Sequence, residues 1–565
     1  MSLTDPGSRL VPALRLAAVA ALVLAFAAGP LAADDRTDKV DKLFAEWDKT
    51  TSPGAALAVI QDGAIIYERG YGMAKLEDGL VMTPRKVFDI GSVSKQFTAA
   101  CLAFLVRDGK VATGDDIRKY IPEFPDYGTP ITIEHLLHHT SGIRDYNALL
   151  DLAGFRDDSD CPTNEESLDV ICRQKALNYP PGREYSYTNS GYFLIGVIVE
   201  RVSGKSLNDF AQERIFKPLG MVHTLFQQDH TQIIPERASG YGVSEKGFRL
   251  YMSNWDEVGD GNVYTTVEDL FLWDQAFFNG KLGPGITDRL QTVGTLNDGT
   301  KQDYAWGLRI SAYKGLKTVS HGGAWAGFRA ALLRFPEQKF SVICLANLAS
   351  MNPDGLCERV ADIYLAPLLK ETPKEKAGPV QPINLSSGEL EALAGNYQES
   401  RFGYWLSLSV KDGGLVLGEV APGLVALPVS PTRFQALVGQ TTVTLDFPPM
   451  EKGKPRGIRL TFGEGAYEFT RAADSKPATA PGLAEYAGRY SCPELLDAVY
   501  RLVIEKDGLV IKFRNASNEP LRLMARDKFT LRGSNYDFVR NKAGRVTGFK
   551  LSAGRAAGIV FTKTK

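Results

Sequence analysis

Ser92 and Lys95 stand three residues apart in Gly91-Ser92-Val93-Ser94-Lys95-Gln96-Phe97. On a helix that spacing brings a hydroxyl and an amine to one face. A serine hydroxyl attacks a carbonyl only when a neighbour takes its proton. A desolvated lysine can do this, and so can a phenolate held by the lysine. At the start of a helix the hydroxyl also lies where backbone N–H groups and the dipole favour a developing anion. Tyr187 and Asn189 form a second group, in Pro181-Gly182-Arg183-Glu184-Tyr185-Ser186-Tyr187-Thr188-Asn189-Ser190-Gly191-Tyr192. The Tyr187 phenol can accept the serine proton and pass it to a leaving group, while the Asn189 amide can hold a substrate carbonyl. The third group is Ser320-His321-Gly322-Gly323-Ala324. Its glycines let a substrate backbone approach a strand edge, and the Ala324 N–H can join that of Ser92 in an oxyanion hole. Taken singly each pattern is common, and Ser-x-x-Lys alone also fits an N-cap serine beside a solvated lysine.

These groups need rigid elements to hold them. Ser92–Arg107 has a helical period that places Phe97, Ala100, Cys101, Phe104 and Leu105 on one face, and Tyr192–Val202 reads as an apolar helix closed by Gly204. Tyr187 and Asn189 then share the loop before that helix, where functional groups are commonly displayed. Ala55–Ile60 and Ala64–Gly70 flank Asp62-Gly63 as a hairpin, and Phe328–Phe335 and Phe340–Leu345 form another about Pro336–Lys339. Leu316–Val319 reads as a strand leading into the His-Gly-Gly segment. Antiparallel hairpins at both ends with helices between them predict an α+β sandwich rather than a parallel doubly wound sheet.

The chain of 565 residues has room for several domains, with 44% hydrophobic and 23% charged residues. Its formal net charge of −1 gives nucleic acid no electrostatic reason to bind. Arg9 and Arg15 precede the apolar run Leu16–Ala28 and the small residues Ala32 and Ala33. This reads as a secretory signal, too short to span a bilayer, which predicts a periplasmic or secreted protein without a transmembrane anchor after signal removal. Polar, breaker-rich stretches follow the sandwich, and the blocks after them repeat each other. Leu393-Ala394-Gly395-Asn396-Tyr397 matches Tyr486-Ala487-Gly488-Arg489-Tyr490, and the stretch from Val410 matches the one from Glu505. Short strands broken by Asp-Gly turns suit small antiparallel barrels. The predicted organisation is a signal at 1–33, a hydrolase domain at 34–370, a linker at 371–384, barrel 1 at 385–473, a linker at 474–482 and barrel 2 at 483–565.

Six cysteines are too few for a disulfide framework. Cys101 and Cys344 read as core thiols, and Cys161 and Cys172 can equally be paired or free. His135, His138 and His139 mimic a ligand face, but no matching glutamate pattern accompanies them. They read as polar residues of a helix, and neither metal nor other cofactor is expected.

Together, Ser92-x-x-Lys95, Tyr187-x-Asn189 and His321-x-Gly323, in that order and separated by about 95 and 130 residues, resemble the penicillin-recognising serine hydrolases. That family includes class C β-lactamases, D,D-peptidases, esterases and D-aminopeptidases. Glu134–Gly142, Arg214–Met221 and Gly259–Thr266 agree with it, so the likeness covers most of residues 40–370. The resemblance implies a β-lactamase/transpeptidase-like sandwich. It implies Ser92 as the acylated nucleophile, Lys95 and Tyr187 as the proton-transfer pair, and His321 as the hydrogen-bonding and electrostatic partner of Tyr187. Asn189, Gly322, Gly323 and Ala324 would bind substrate. Ser92–Thr98, Ser141–Tyr146 and His321–Gly323 are most similar to the D-aminopeptidases of the family. Those also carry two C-terminal barrels, one of which sends a loop into the active site and helps select a free N-terminal amine. No segment of 483–565 identifies that loop by sequence alone.

The expected activity is an aminopeptidase or amidase acting on small D-amino-acid peptides or amides. The alternatives are an esterase, a D,D-carboxypeptidase, a weak β-lactamase, or a non-catalytic peptide or cell-wall binding protein. A homodimer is compatible with the sequence.

Overall fold

The computed structural model describes residues 35–370 apart from 157–158, and residues 382–564 apart from 400–402, 419–420, 422, 439–440, 450–452, 463–464, 473–479, 507 and 515–516. The signal at 1–33 and most of both linkers lie outside the described residues.

Two hairpins build the central sheet. β1 (Ala55–Gln61) and β2 (Ala64–Tyr71) join through Asp62 and Gly63, whose φ values of 50° and 82° suit the twist of a two-residue hairpin. β3 (Arg309–Tyr313), β4 (Leu316–Trp325), β5 (Phe328–Phe335) and β6 (Phe340–Ala346) complete an antiparallel sheet in the order β3-β4-β5-β6-β1-β2. β1 pairs with β6 through Val59↔Val342. Both strands are buried almost throughout because both faces are covered. On one face Leu57, Val59, Val342 and Cys344 pack with helices α1 (Asp35–Phe44) and α5 (Pro353–Tyr364). On the other, Ala56, Ala58 and Ile343 meet the core that contains α2 (Lys95–Arg107), α3 (Asn189–Ser203) and α4 (Val267–Asn279). A buried ion pair ties α4 to the sheet, with Arg334 Nε donating to Asp274 Oδ1 at 2.6 Å.

Three local readings change. α2 is not amphipathic: every residue from Lys95 to Leu105 is buried, because α3 and other helices surround it. Ser92 precedes α2 on a tighter 3₁₀ turn, Gly91–Ser94. The His-Gly-Gly segment does not follow a strand but lies inside β4. Cys161 and Cys172 are free thiols, while Cys101 and Cys344 are buried as expected.

The repeat becomes two closed eight-stranded antiparallel barrels, from Gly395 to Arg471 and from Gly488 to Thr564. Closure pairs the first strand with the last and removes free edges. Barrel 2 docks on the hydrolase domain through a buried Arg144–Glu494 pair at 2.8 Å and through Tyr500, whose hydroxyl donates to the Leu152 carbonyl at 2.8 Å.

Candidate active site

The turn carrying Ser92 is pressed against β4. Gly91 has φ 49°, and a Cβ there would lie 2.8 Å from the Ala324 nitrogen; one on Gly323 would lie 2.0 Å from the Ile90 carbonyl oxygen. Only glycine permits this approach. β3 pairs with β4 only as far as Arg309↔Ser320, so His321–Trp325 have β5 on one side and the cleft on the other. Gly322, Gly323 and Ala324 line this open edge.

One turn on, the Lys95 side chain is fully buried. Its Nζ donates to Ser92 Oγ at 2.9 Å, to Asn189 Oδ1 at 2.9 Å and to the Asp260 carbonyl at 2.8 Å. All three donor positions of the ammonium are used, which offsets its desolvation. Asn189 begins α3 rather than lying in the loop before it. Its backbone N–H donates to Asp145 Oδ2 at 2.6 Å. The Tyr187 ring lies 5.1 Å from Lys95 Nζ, and its buried hydroxyl has no hydrogen-bond partner among the described residues. Ser92, Tyr187, Asn189 and His321 therefore border one cleft of about 660 Å³, with Lys95 beneath Ser92.

His321 requires a correction. Its Nδ1 lies 2.6 Å from the Gly322 carbonyl, which can only accept, so Nδ1 carries the proton. Nε2, 2.9 Å from Tyr304 Oη, must then accept from that hydroxyl. Tyr304 takes the place expected of Tyr187, whose ring centre is 6.3 Å from the imidazole. Burial, reinforced by the Lys95 charge, holds His321 down to about 3, so the ring is neutral at ordinary pH. Burial also pushes the Tyr304 phenol far up, which keeps it a donor.

Other groups escaped sequence reasoning. The helix containing His135 ends at Leu137; His139 follows with φ 55° and its ring packs 4.1 Å from that of Tyr187. Tyr146 Oη donates to Asp260 Oδ1 at 2.9 Å and lies 3.3 Å from Glu257 Oε1. Burial raises Asp260 to about 6, opposed by Lys95, and drives Glu257 well above the usual carboxylate range. Glu257 lines the cleft, and its Oε2 has no hydrogen-bond partner among the described residues. The resemblance anticipated a barrel loop here, and the structure locates one. Arg555, in the turn between the last two strands of barrel 2, lines the cleft with its guanidinium 5.1 Å from the Tyr187 ring centre and Nη1 3.5 Å from Asp145 Oδ2. Asn178 Nδ2 donates to the Arg555 carbonyl at 2.8 Å and fixes the turn.

The arrangement presents a serine, a lysine in contact with it, an adjacent phenol and an open strand edge, which suits acyl transfer. Comparison with known proteins agrees. The Beta-lactamase family model matches residues 40–363, more than half of the chain. The D-aminopeptidase of Gluconobacter oxydans is 29% identical over 469 residues, 81% of this chain and 83% of that one. Penicillin-binding protein 4* of Bacillus subtilis is 30% identical over 315 residues, 52% of this chain and 68% of its own length. Among solved structures, the octameric penicillin-binding protein homologue from Pyrococcus abyssi shares the fold with a TM-score of 0.55 and 23% identity, over 77% of this chain and 100% of that one. The chain belongs to the beta-lactamase family and is a serine hydrolase.

Proposed function

We propose that the protein is an exported aminopeptidase or amidase that cleaves peptides or amides with an N-terminal D-residue through an acyl-enzyme on Ser92. The observation that carries the chemistry is the 2.9 Å contact from Lys95 Nζ to Ser92 Oγ, with the Tyr187 ring centred 5.1 Å from the same Nζ. Ser92 Oγ attacks the amide carbon while its proton passes to Tyr187, acting as the phenolate held by the Lys95 ammonium. The oxyanion meets the Ser92 and Ala324 N–H groups. The C–N bond breaks, the amine leaves with a proton delivered through Tyr187, and water then hydrolyses the ester and restores Ser92. The substrate backbone runs along the open edge of β4.

Three features support an amine-bearing substrate. The Gluconobacter oxydans relative is a D-aminopeptidase. Glu257, which burial keeps protonated before substrate binds, has an unpartnered Oε2 among the described residues that accepts from an ammonium group once the incoming positive charge draws the carboxyl proton off. His321, neutral where a cation would assist, makes the site a poor receptor for a β-lactam carboxylate. Arg555 favours a second reading, a D,D-peptidase or esterase whose substrate carboxylate meets the guanidinium.

D-alanyl and L-alanyl anilides and the N-acetylated D-anilide separate the two. The D-substrate with its free amine is the preferred one on our reading; equal turnover after acetylation removes the aminopeptidase assignment and leaves acylation intact. Export is tested separately, by N-terminal sequencing of protein from the periplasm or medium. The mature chain should begin near Asp34, and retention of residues 1–33 contradicts signal removal.

A further inference from the structure

The two barrels share a topology but fill their interiors differently. Matching strand registers show where. Tyr397 faces Leu406 in barrel 1 where Tyr490 faces Tyr500 in barrel 2. Phe434 faces Leu445 where Phe529 faces Tyr536. Ile458 faces Phe469 where Phe549 faces Phe561. In barrel 2 these rings fill the interior, with Phe549 centred 4.6 Å from Phe561, 5.0 Å from Tyr490 and 5.7 Å from Tyr536. Barrel 1 carries leucine or isoleucine at three of these positions, so its interior lacks three of the rings that fill barrel 2.

A cavity of about 590 Å³ is lined by Leu417, Val443, Leu460 and Phe469 of barrel 1 and closed on one side by Arg532, Gly533, Ser534 and Gly554 of barrel 2. That volume lies within the range of small-molecule sites, and an eight-stranded barrel is wide enough to hold one small ligand. A second observation points to what the ligand carries. Trp405 lines the same cavity at 3% exposure, and its buried indole Nε1 has no hydrogen-bond partner among the described residues. An indole N–H only donates and is unfavourable to leave unmatched when buried, so the site calls for an acceptor oxygen. Glu399 also lines the cavity, and the basic residue of its lining, Arg532, is already paired with Glu519, which leaves an anionic head group without a cation of its own.

We infer that barrel 1 is a second ligand site, separate from the catalytic cleft, for an uncharged amphiphile with an apolar body and one carbonyl oxygen that accepts from Trp405. The probe is prodan, an uncharged naphthyl ketone whose emission shifts to the blue in apolar surroundings, titrated into the full chain. The site predicts saturable uptake of one molecule per chain. Leu460→Phe and Val443→Phe, which occupy the cavity, should each weaken uptake more than about tenfold, and Trp405→Phe, which keeps the ring but loses the donor, about two- to tenfold. Labelling of Ser92 by a fluorophosphonate, at the wild-type rate in all three variants, reports that the fold is intact. Lauramide should displace prodan and laurate should not. Absence of saturable uptake by the wild type, or uptake unchanged by both cavity-filling variants while Ser92 still labels, overturns the site. Displacement by laurate in preference to its amide overturns the ligand class.

Discussion

Removing the Glu494 carboxylate should loosen barrel 2 from the hydrolase domain. Arg144 and Glu494 are 2% and 4% exposed, and Arg144 Nη1 donates to both Glu494 Oε2 and Gln174 Oε1 at 2.8 Å. Arg144 Nε already lacks a partner among the described residues, and the Lys175 N–H also donates to Glu494 Oε2, at 2.9 Å. Glu494→Ala therefore leaves a buried guanidinium with one neutral acceptor and a backbone N–H with none. Breaking one side of such a pair costs about 3–5 kcal/mol, or about two to four orders of magnitude in the ratio of docked to undocked barrel. Replacing both partners, as in Arg144→Met with Glu494→Leu, removes the stranded charge and should cost far less. Limited proteolysis under native conditions measures the undocked fraction. Because Arg555 belongs to the same barrel, the selectivity of Glu494→Ala on a D/L substrate panel should change along with cleavage. A double variant as susceptible as Glu494→Ala would refute the reasoning that the uncompensated charge dominates.

Glu257→Gln should raise KM about tenfold for the free-amine D-anilide and leave the acetylated substrate unchanged; an equal effect on both removes Glu257 from amine recognition. Arg555→Ala should change the relative kcat/KM of substrates with and without a leaving-group carboxylate while Ser92 still labels, and an unaltered ratio reduces the barrel turn to a wall of the cleft. Burial lowers His138 from its usual 6.5 to about 4. Between those values the unfolded chain binds a proton that the folded chain refuses, so this group's contribution makes stability fall as pH falls through the window. His138→Gln should flatten that slope by about one proton, about 1.4 kcal/mol per pH unit, in denaturant unfolding at pH 4.5 and 6.5, and an unchanged slope contradicts the neutral buried imidazole.

Much of the scaffold is written in local patterns. Asp62-Gly63 announces its hairpin because both positions take positive φ, and the repeated Asp-Gly turns disclose the two barrels. Ser92, Lys95, Tyr187, Asn189 and His321 were legible because their order and spacing match a family. What escaped depends on contacts between distant segments. Arg555 sits in a turn with no distinguishing composition, and only docking of barrel 2 carries it to Tyr187. Tyr304 displaced Tyr187 as the His321 partner because its loop folds against the side of β4, which no periodicity records. The spacing of His135, His138 and His139 suggested a helical face, yet the helix stops at Leu137 and His139 turns into the core. α2 read as one-sided, although helices surround it and apolar, small and hydrogen-bonded residues occupy its whole circumference.

The most direct measurement of the central claim is intact-protein and peptide mass spectrometry after brief exposure to an activated D-alanyl ester, compared between wild type, Ser92→Ala and Lys95→Met. The account predicts one acyl group on Ser92 in the wild type, none in Ser92→Ala, and formation at least about a hundredfold slower in Lys95→Met. An acyl group on another residue, or acylation of Lys95→Met at the wild-type rate, would contradict it.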